Sequence, residues 1–183
     1  MTQKEACLVC QIADNKIPSK ILYEDEQSMA VLDVNGANPG HCFIFPKNHY
    51  PIIEQVHDEE IGNMFQIANK LSSAIFEGLK VEGTNIFVAN GIPAGQTVAH
   101  FMINVIPRTQ NDGINLQWQP KQLDEEEMST VELKIKEQTD KVGISSEPIP
   151  STTFEKPKEK KESDDYETSD EDEDNLRQIT RIP

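Results

Sequence analysis

The stretch 99–106 constrains the fold more than any other part of the sequence. Phe101, Ile103 and Val105 are apolar, while His100, Met102 and Asn104 fill the positions between them. Successive residues of a strand point to opposite faces, so this alternation predicts one face packed into a core and a second face that carries a site. Just upstream, Asn90-Gly91 and Gly95-Gln96-Thr97 bring small residues, backbone N–H groups and hydroxyl or amide donors to the mouth of that strand. Such a turn suits a phosphate. It equally suits a plain glycine-rich hairpin.

The sequence around this strand sets the class. Residues 20–23 and 28–34 read as two strands joined by the acidic turn Glu24-Asp25-Glu26, and 42–46 and 84–89 as two more. Over 58–79 the apolar residues Ile61, Met64, Phe65, Ala68, Leu71, Ile75 and Leu79 recur every three or four positions, which predicts an amphipathic helix. Acids in its first turn suit the helix dipole. A second, charged helix is expected over 123–142, with Met128, Val131 and Leu133 or Ile135 as a sparse apolar side. Strands that outnumber helices and follow one another through short turns point to an α+β fold with a largely antiparallel sheet.

Beyond residue 144 the pattern stops. Residues 145–183 hold 12 acids, 6 bases, several prolines and few apolar side chains. A segment like that cannot bury enough surface to offset the entropy of ordering, and it is expected to be a disordered tail on a domain spanning 1–144. At its end the sign of the charge reverses. Leu176, Ile179 and Ile182 follow at three-residue spacing among Arg177 and Arg181, up to Pro183. That segment either docks on the body or a protein partner, or stays solvated.

With 17 Lys and Arg against 32 Asp and Glu, the 183-residue chain carries a net charge of −15. Such a field repels a phosphodiester backbone or an anionic bilayer, so no nucleic acid and no membrane partner are expected. No apolar run approaches the roughly 20 residues of a membrane span, and the first residues lack the basic start and apolar centre of a secretory signal. The expected compartment is the cytoplasm. Three cysteines do not make a disulfide framework. Cys7 and Cys10, two residues apart, pose a question of thiol chemistry or metal binding instead.

The order of motifs resembles the histidine triad (HIT) superfamily of nucleotide hydrolases and transferases. It comprises Cys7-x-x-Cys10, Leu32-Asp33, Asn38-Pro39-Gly40-His41, Phe45-Pro46-Lys47-Asn48-His49, Asn90-Gly91, Gly95-Gln96-Thr97, and the strand ending in Ile106-Pro107-Arg108. The resemblance implies an α+β fold with a five-stranded, mainly antiparallel sheet, a homodimer, and a site for a nucleoside phosphate, most often purine. Within that site it implies nucleotide contacts from Asp33, Asn90, Gly95, Gln96, Thr97 and Asn104, with Asp33 on the ribose hydroxyls. In the zinc-bearing branch it further implies a Zn²⁺ cofactor on Cys7, Cys10, His49 and His100. Two thiolates and two neutral imidazoles form a closed tetrahedral shell suited to a structural ion.

One departure from the family pattern bears on activity. Family members carry three alternating histidines on the signature strand, the middle one attacking phosphorus; here the series reads His100, Met102, Asn104. A thioether is a weak nucleophile toward phosphorus, and loss of a comparable nucleophile costs about 10⁶ in turnover. Hydrolysis is therefore expected to be lost or strongly reduced, with no catalytic residue in place. His41 is the residual candidate for a general base in an active hydrolase or nucleotidyl transferase, or else it only hydrogen-bonds its surroundings. A scaffold with no small ligand is the third reading. Cys42 is expected to be a buried small hydrophobe and His57 a solvated or capping residue, while Trp118 is left between the site and a dimer contact.

Overall fold

A computed structural model of the chain describes residues 3–139. The expectations for the acidic tail at 145–183, for the segment around Leu176 and Ile182, and for helix over 140–142 fall outside the described residues. Among the described residues two units divide the chain, one up to Gln119 and one from Pro120.

The first unit is built on a five-stranded antiparallel sheet in the order β1-β2-β3-β5-β4. Its strands are β1 (Ile21–Glu24), β2 (Ser28–Leu32), β3 (Cys42–Pro46), β4 (Gly83–Phe87) and β5 (Ile103–Arg108). Helices α1 (Gln3–Ala6) and α2 (Leu8–Ala13) precede the sheet, and α3 (Asp58–Leu79) connects β3 to β4. The fold expected from the resemblance is the fold observed.

Both faces of the sheet are covered, which explains the almost unbroken burial of β2. Ala30, Cys42, Ile44, Ile103 and Val105 share one apolar cluster with Met64, Ile67, Ala68 and Ile75 of α3. Met29, Val31 and Phe45 belong to a second cluster with Cys7, Val9 and Cys10 at the start of the chain. Each fully buried large apolar side chain contributes about 1.5–3 kcal/mol, so both layers matter to a domain this small. In α3 the acids Asp58, Glu59 and Glu60 occupy the first turn. The helix ends where Lys80 turns left-handed at φ 55° and returns its N–H to the Phe76 carbonyl.

The signature strand begins later than its alternation predicts, at Ile103 and not at residue 99. Its pairing with β3 runs Cys42↔Val105 and Ile44↔Ile103, so the next pair would set Pro46 opposite Phe101. Proline has no N–H to give the ladder, and pairing stops there. Phe101 N–H instead donates to the Tyr50 carbonyl at 2.6 Å, and His100 N–H to Val98 at 2.8 Å. The facing nevertheless persists: Phe101 packs with the α3 cluster and Met102 with the second one. Strand β2 stops at Leu32, two residues early, because Asp33 starts a turn in which its Oδ1 accepts from Asn35 N–H at 2.8 Å.

In the second unit α4 (Glu125–Lys136) is shorter than the expected 123–142. It begins where Asp124 caps it: Asp124 Oδ1 accepts from Glu127 N–H at 2.8 Å, and Glu127 Oε2 accepts from Asp124 N–H at 3.3 Å. Three acids in its first turn and Lys134 and Lys136 in its last complement the dipole. Capping and charge hold this helix, since Met128, Val131, Leu133 and Ile135 are all exposed. No described helix is long and apolar enough to cross a membrane.

Candidate functional site

Beside the sheet, Cys7, Cys10, His49 and His100 converge so that their four ligand atoms lie within 4.8 Å of one another. Cys7 is the N-cap residue of α2, and the first turn of the helix places Cys10 on the same side, three residues on. His49 follows β3 and His100 precedes β5, so adjacent strands deliver the two imidazoles. Cys7 Sγ and Cys10 Sγ each lie 3.5 Å from His100 Nδ1, and Cys10 Sγ lies 3.3 Å from His49 Nδ1. Burial pushes the Cys10 thiol up to about 11, with help from the neighbouring Cys7. Burial likewise holds His100 down to about 4 against its hydrogen bond to Pro46, so the ring is neutral.

His100 Nε2 donates to the buried Pro46 carbonyl at 2.9 Å, which fixes the proton on that nitrogen and leaves the Nδ1 lone pair facing the thiols. A ligating histidine held by its other nitrogen is a recurring feature of metal sites. Tetrahedral bonds of about 2.0–2.3 Å give donor–donor edges of about 3.3–3.8 Å. The four residues could therefore hold a metal ion with little movement.

On the same side of the sheet lies a cleft of about 480 Å³. Leu8, Val9 and Ile12 of α2, with Phe43 and Phe87, form its apolar wall, and Asp33, His41, Gly95, Gln96, Thr97, Met102 and Asn104 also line it. Six of the sequence-derived site residues, together with His41, thus come together, if Met102 is counted. Asn90 does not join them: its Nδ2 donates to both carboxylate oxygens of Glu54, at 2.8 and 3.0 Å, and its Oδ1 accepts from Ile53 N–H.

Gln96 lines the cleft with its amide already engaged. Its Oε1 accepts from Gly91 N–H at 2.7 Å, and its Nε2 donates to the carbonyls of Pro51 at 2.7 Å and Val98 at 2.9 Å. It clamps the turn instead of offering a free donor. Gly95 holds the turn open at φ +91°, a value L side chains avoid. Phosphate contacts from this turn would come from backbone N–H groups and Thr97.

His41 is buried, and both ring nitrogens are committed. Nδ1 accepts from Ala37 N–H at 3.0 Å, and Nε2 lies 3.3 Å from Asn104 Oδ1. Asp33 Oδ2 stands 3.9 Å from His41 Nδ1.

The remaining residues have simpler places. Cys42 is fully buried in the core, where burial pushes its thiol up to about 11. His57 precedes α3 and makes no side-chain cap, its ring lying edge-on to Tyr50. Trp118 is 84% exposed and lines a separate groove with Asn85, Arg108 and Leu116. Sequence reasoning missed the cleft wall from α2, whose only signal is the apolar spacing of Leu8 and Ile12 around Cys10.

A model of the HIT domain matches residues 14–111, more than half of the chain, and the chain belongs to that family. It is 38% identical over 107 residues to an uncharacterized HIT-like protein of Methanocaldococcus jannaschii, covering 58% of this chain and 82% of that one. An adenosine 5'-monophosphoramidase of Saccharomyces cerevisiae is 32% identical over 124 residues, covering 67% of this chain and 76% of that one. Among solved structures, a HIT family protein from Bacillus subtilis superposes with a TM-score of 0.68 at 30% identity, covering 72% of this chain and 96% of that one. A Zn-bound histidine triad protein from Mycobacterium smegmatis gives 0.59 at 27% identity, covering 75% and 98%.

Proposed function

We propose that this protein binds a purine nucleoside phosphate in the cleft, carries a structural zinc ion on Cys7, Cys10, His49 and His100, and has lost or nearly lost the hydrolytic activity of its relatives. The observation that carries the reading is the position of Met102. It lines the cleft together with Gly95, Gln96, Thr97 and Asn104, and it stands in the signature strand where the family pattern has its nucleophile. His41 offers no replacement, because the lone pair of its Nδ1 already accepts from Ala37. In this reading Asp33 holds the ribose hydroxyls, the apolar wall takes the base, and Thr97, Asn104 and the turn's N–H groups meet the phosphate.

The zinc assignment draws on the donor set and on the Zn-bound relative. Two thiolates and two imidazoles would neutralise the ion's charge and leave no open position, so the ion would supply rigidity. A homodimer across the β4 edge is part of the proposal: Ile86 and Phe87 of that edge strand and Phe76 and Leu79 of α3 are exposed apolar residues. We assign the compartment as cytoplasmic, and the residues after 144 as an acidic solubilising tail that can also engage a protein partner.

The test is incubation of the purified protein with an adenosine phosphoramidate and with a dinucleoside polyphosphate, alongside calorimetric titration with AMP and GMP. Binding without turnover supports the proposal. Turnover abolished by His41→Ala would replace it with an active hydrolase. Absence of binding at millimolar nucleotide would leave a scaffold.

A further inference from the structure

Among the described residues no lysine or arginine lines the cleft, in a chain of net charge −15. An anionic ligand there must be held by neutral N–H and O–H donors, so the direction in which each polar group points becomes decisive. For a carboxamide, orientation is a choice between presenting oxygen and presenting nitrogen.

Three linked hydrogen bonds make that choice for Asn104. A backbone N–H can only donate, so His41 Nδ1, 3.0 Å from Ala37 N, must be the unprotonated nitrogen. The neutral ring then carries its proton on Nε2, and the atom 3.3 Å from Nε2 must accept: this is Asn104 Oδ1. The oxygen of the carboxamide is thereby turned to His41. Its Nδ2, with two N–H donors, has no hydrogen bond to a described residue. The loop before His41 is closely packed. Gly36 passes so near His41 that a Cβ there would stand 2.8 Å from His41 Cβ.

We infer that His41 is a positioning residue, and that through it Asn104 is a donor-only anchor for a phosphoryl oxygen of the bound ligand. The inference rests on the nucleotide-binding reading above and gives His41 a role in place of proton transfer. With Asn104 reversed, its oxygen would face the anion and repel it.

Two measurements on the full-length protein test this. The first is the ¹⁵N spectrum of the His41 ring without ligand. A protonated Nε2 with a bare Nδ1 is expected, and the opposite tautomer overturns the relay. The second is AMP affinity by calorimetry for the wild type, His41→Gln, His41→Leu, Asn104→Ala and the His41→Leu/Asn104→Ala double variant. Gln keeps an N–H near the position of Nε2. His41→Leu and Asn104→Ala should each weaken AMP about tenfold or more, the double variant no further than either, and His41→Gln by no more than about threefold. Multiplying losses in the double variant, or a His41→Gln variant as weak as His41→Leu, overturns the inference. If wild-type protein fails to bind AMP, the nucleotide reading falls, and the anchor role with it, whereas the ring tautomer still decides the relay itself.

Discussion

His100 Nε2 donates to the carbonyl oxygen of Pro46 at 2.9 Å, and both residues are fully buried. The same proline that ends the pairing of β3 with β5 therefore orients the ring that faces the two thiols. Removing either side of this arrangement has a measurable consequence. Cys10→Ser and His100→Ala should each reduce bound metal from one ion per chain to a small fraction, read by elemental analysis. They should also lower the thermal midpoint, because the binding energy of such an ion, of order 10 kcal/mol, is largely folding energy. A strong chelator should lower the wild-type midpoint and leave the midpoints of these variants unmoved.

Asp112 ties the end of β5 to the loop before β3. It accepts from Arg108 Nε at 2.6 Å and Nη2 at 2.9 Å, and from Asn38 Nδ2 at 2.9 Å. The hydrogen bond from Arg108, followed by those from Ile114 N–H and Asn38, holds its carboxyl well below the usual carboxylate range. The unfolded chain therefore binds this proton at higher pH than the folded one. The stabilisation is full above the ordinary carboxylate value near 4 and fades as pH falls below it. Asp112→Asn should lower the urea midpoint at neutral pH and flatten its fall below pH 4. An unchanged acid limb would count against this assignment.

Gly40 cannot be replaced without strain. It sits at φ +90°, and a Cβ there would collide with Leu79 Cδ1 and crowd Pro107 Cγ at 3.2 Å. Gly40→Ala should cost about 1–3 kcal/mol, chiefly from the left-handed backbone, while the exposed Leu79 side chain gives way. Denaturant unfolding measures this directly, and a cost under about 0.5 kcal/mol would contradict it.

Restoring the histidines should restore chemistry. Met102→His with Asn104→His places imidazoles where the cleft meets the turn, and hydrolysis of an adenosine phosphoramidate should rise by several orders of magnitude, out of the about 10⁶ that a missing nucleophile costs. Continued silence in a variant that still binds AMP would mean that the turn no longer holds phosphate in line for attack.

Asp33 tests the ribose contact. Asp33→Ala should weaken AMP about tenfold, while a ligand lacking both ribose hydroxyls should bind wild type and variant alike. Equal losses for both ligands would assign Asp33 to the turn it forms with Asn35 alone.

How much of this was legible in the sequence depended on the length of each pattern. Helix α3 repeats its apolar residues over 22 positions, and its predicted bounds match those found. The bounds of β3 match as well. Helix α2 has six residues, too few to display a period, so the wall it gives the cleft was invisible. Residues far apart in sequence decided the rest. The start of β5 depends on a proline 57 positions before it, and the work of Gln96 on the carbonyl of Pro51, 45 positions before it. Asn90 was placed at the cleft from its motif, but Glu54 and Ile53 claim its amide. The role of His41 hinges on one backbone N–H, at Ala37, which no residue type announces.

The cysteine–histidine cluster also bears on how the chain matures. Its members stand at positions 7, 10, 49 and 100, so the first two emerge from the ribosome some 90 residues before the last. With the proposed zinc, a nascent chain would carry a half-made cage until the final strand of the sheet is in place, and only then could the shell close. Capture of the ion would thus report that synthesis has passed the signature strand.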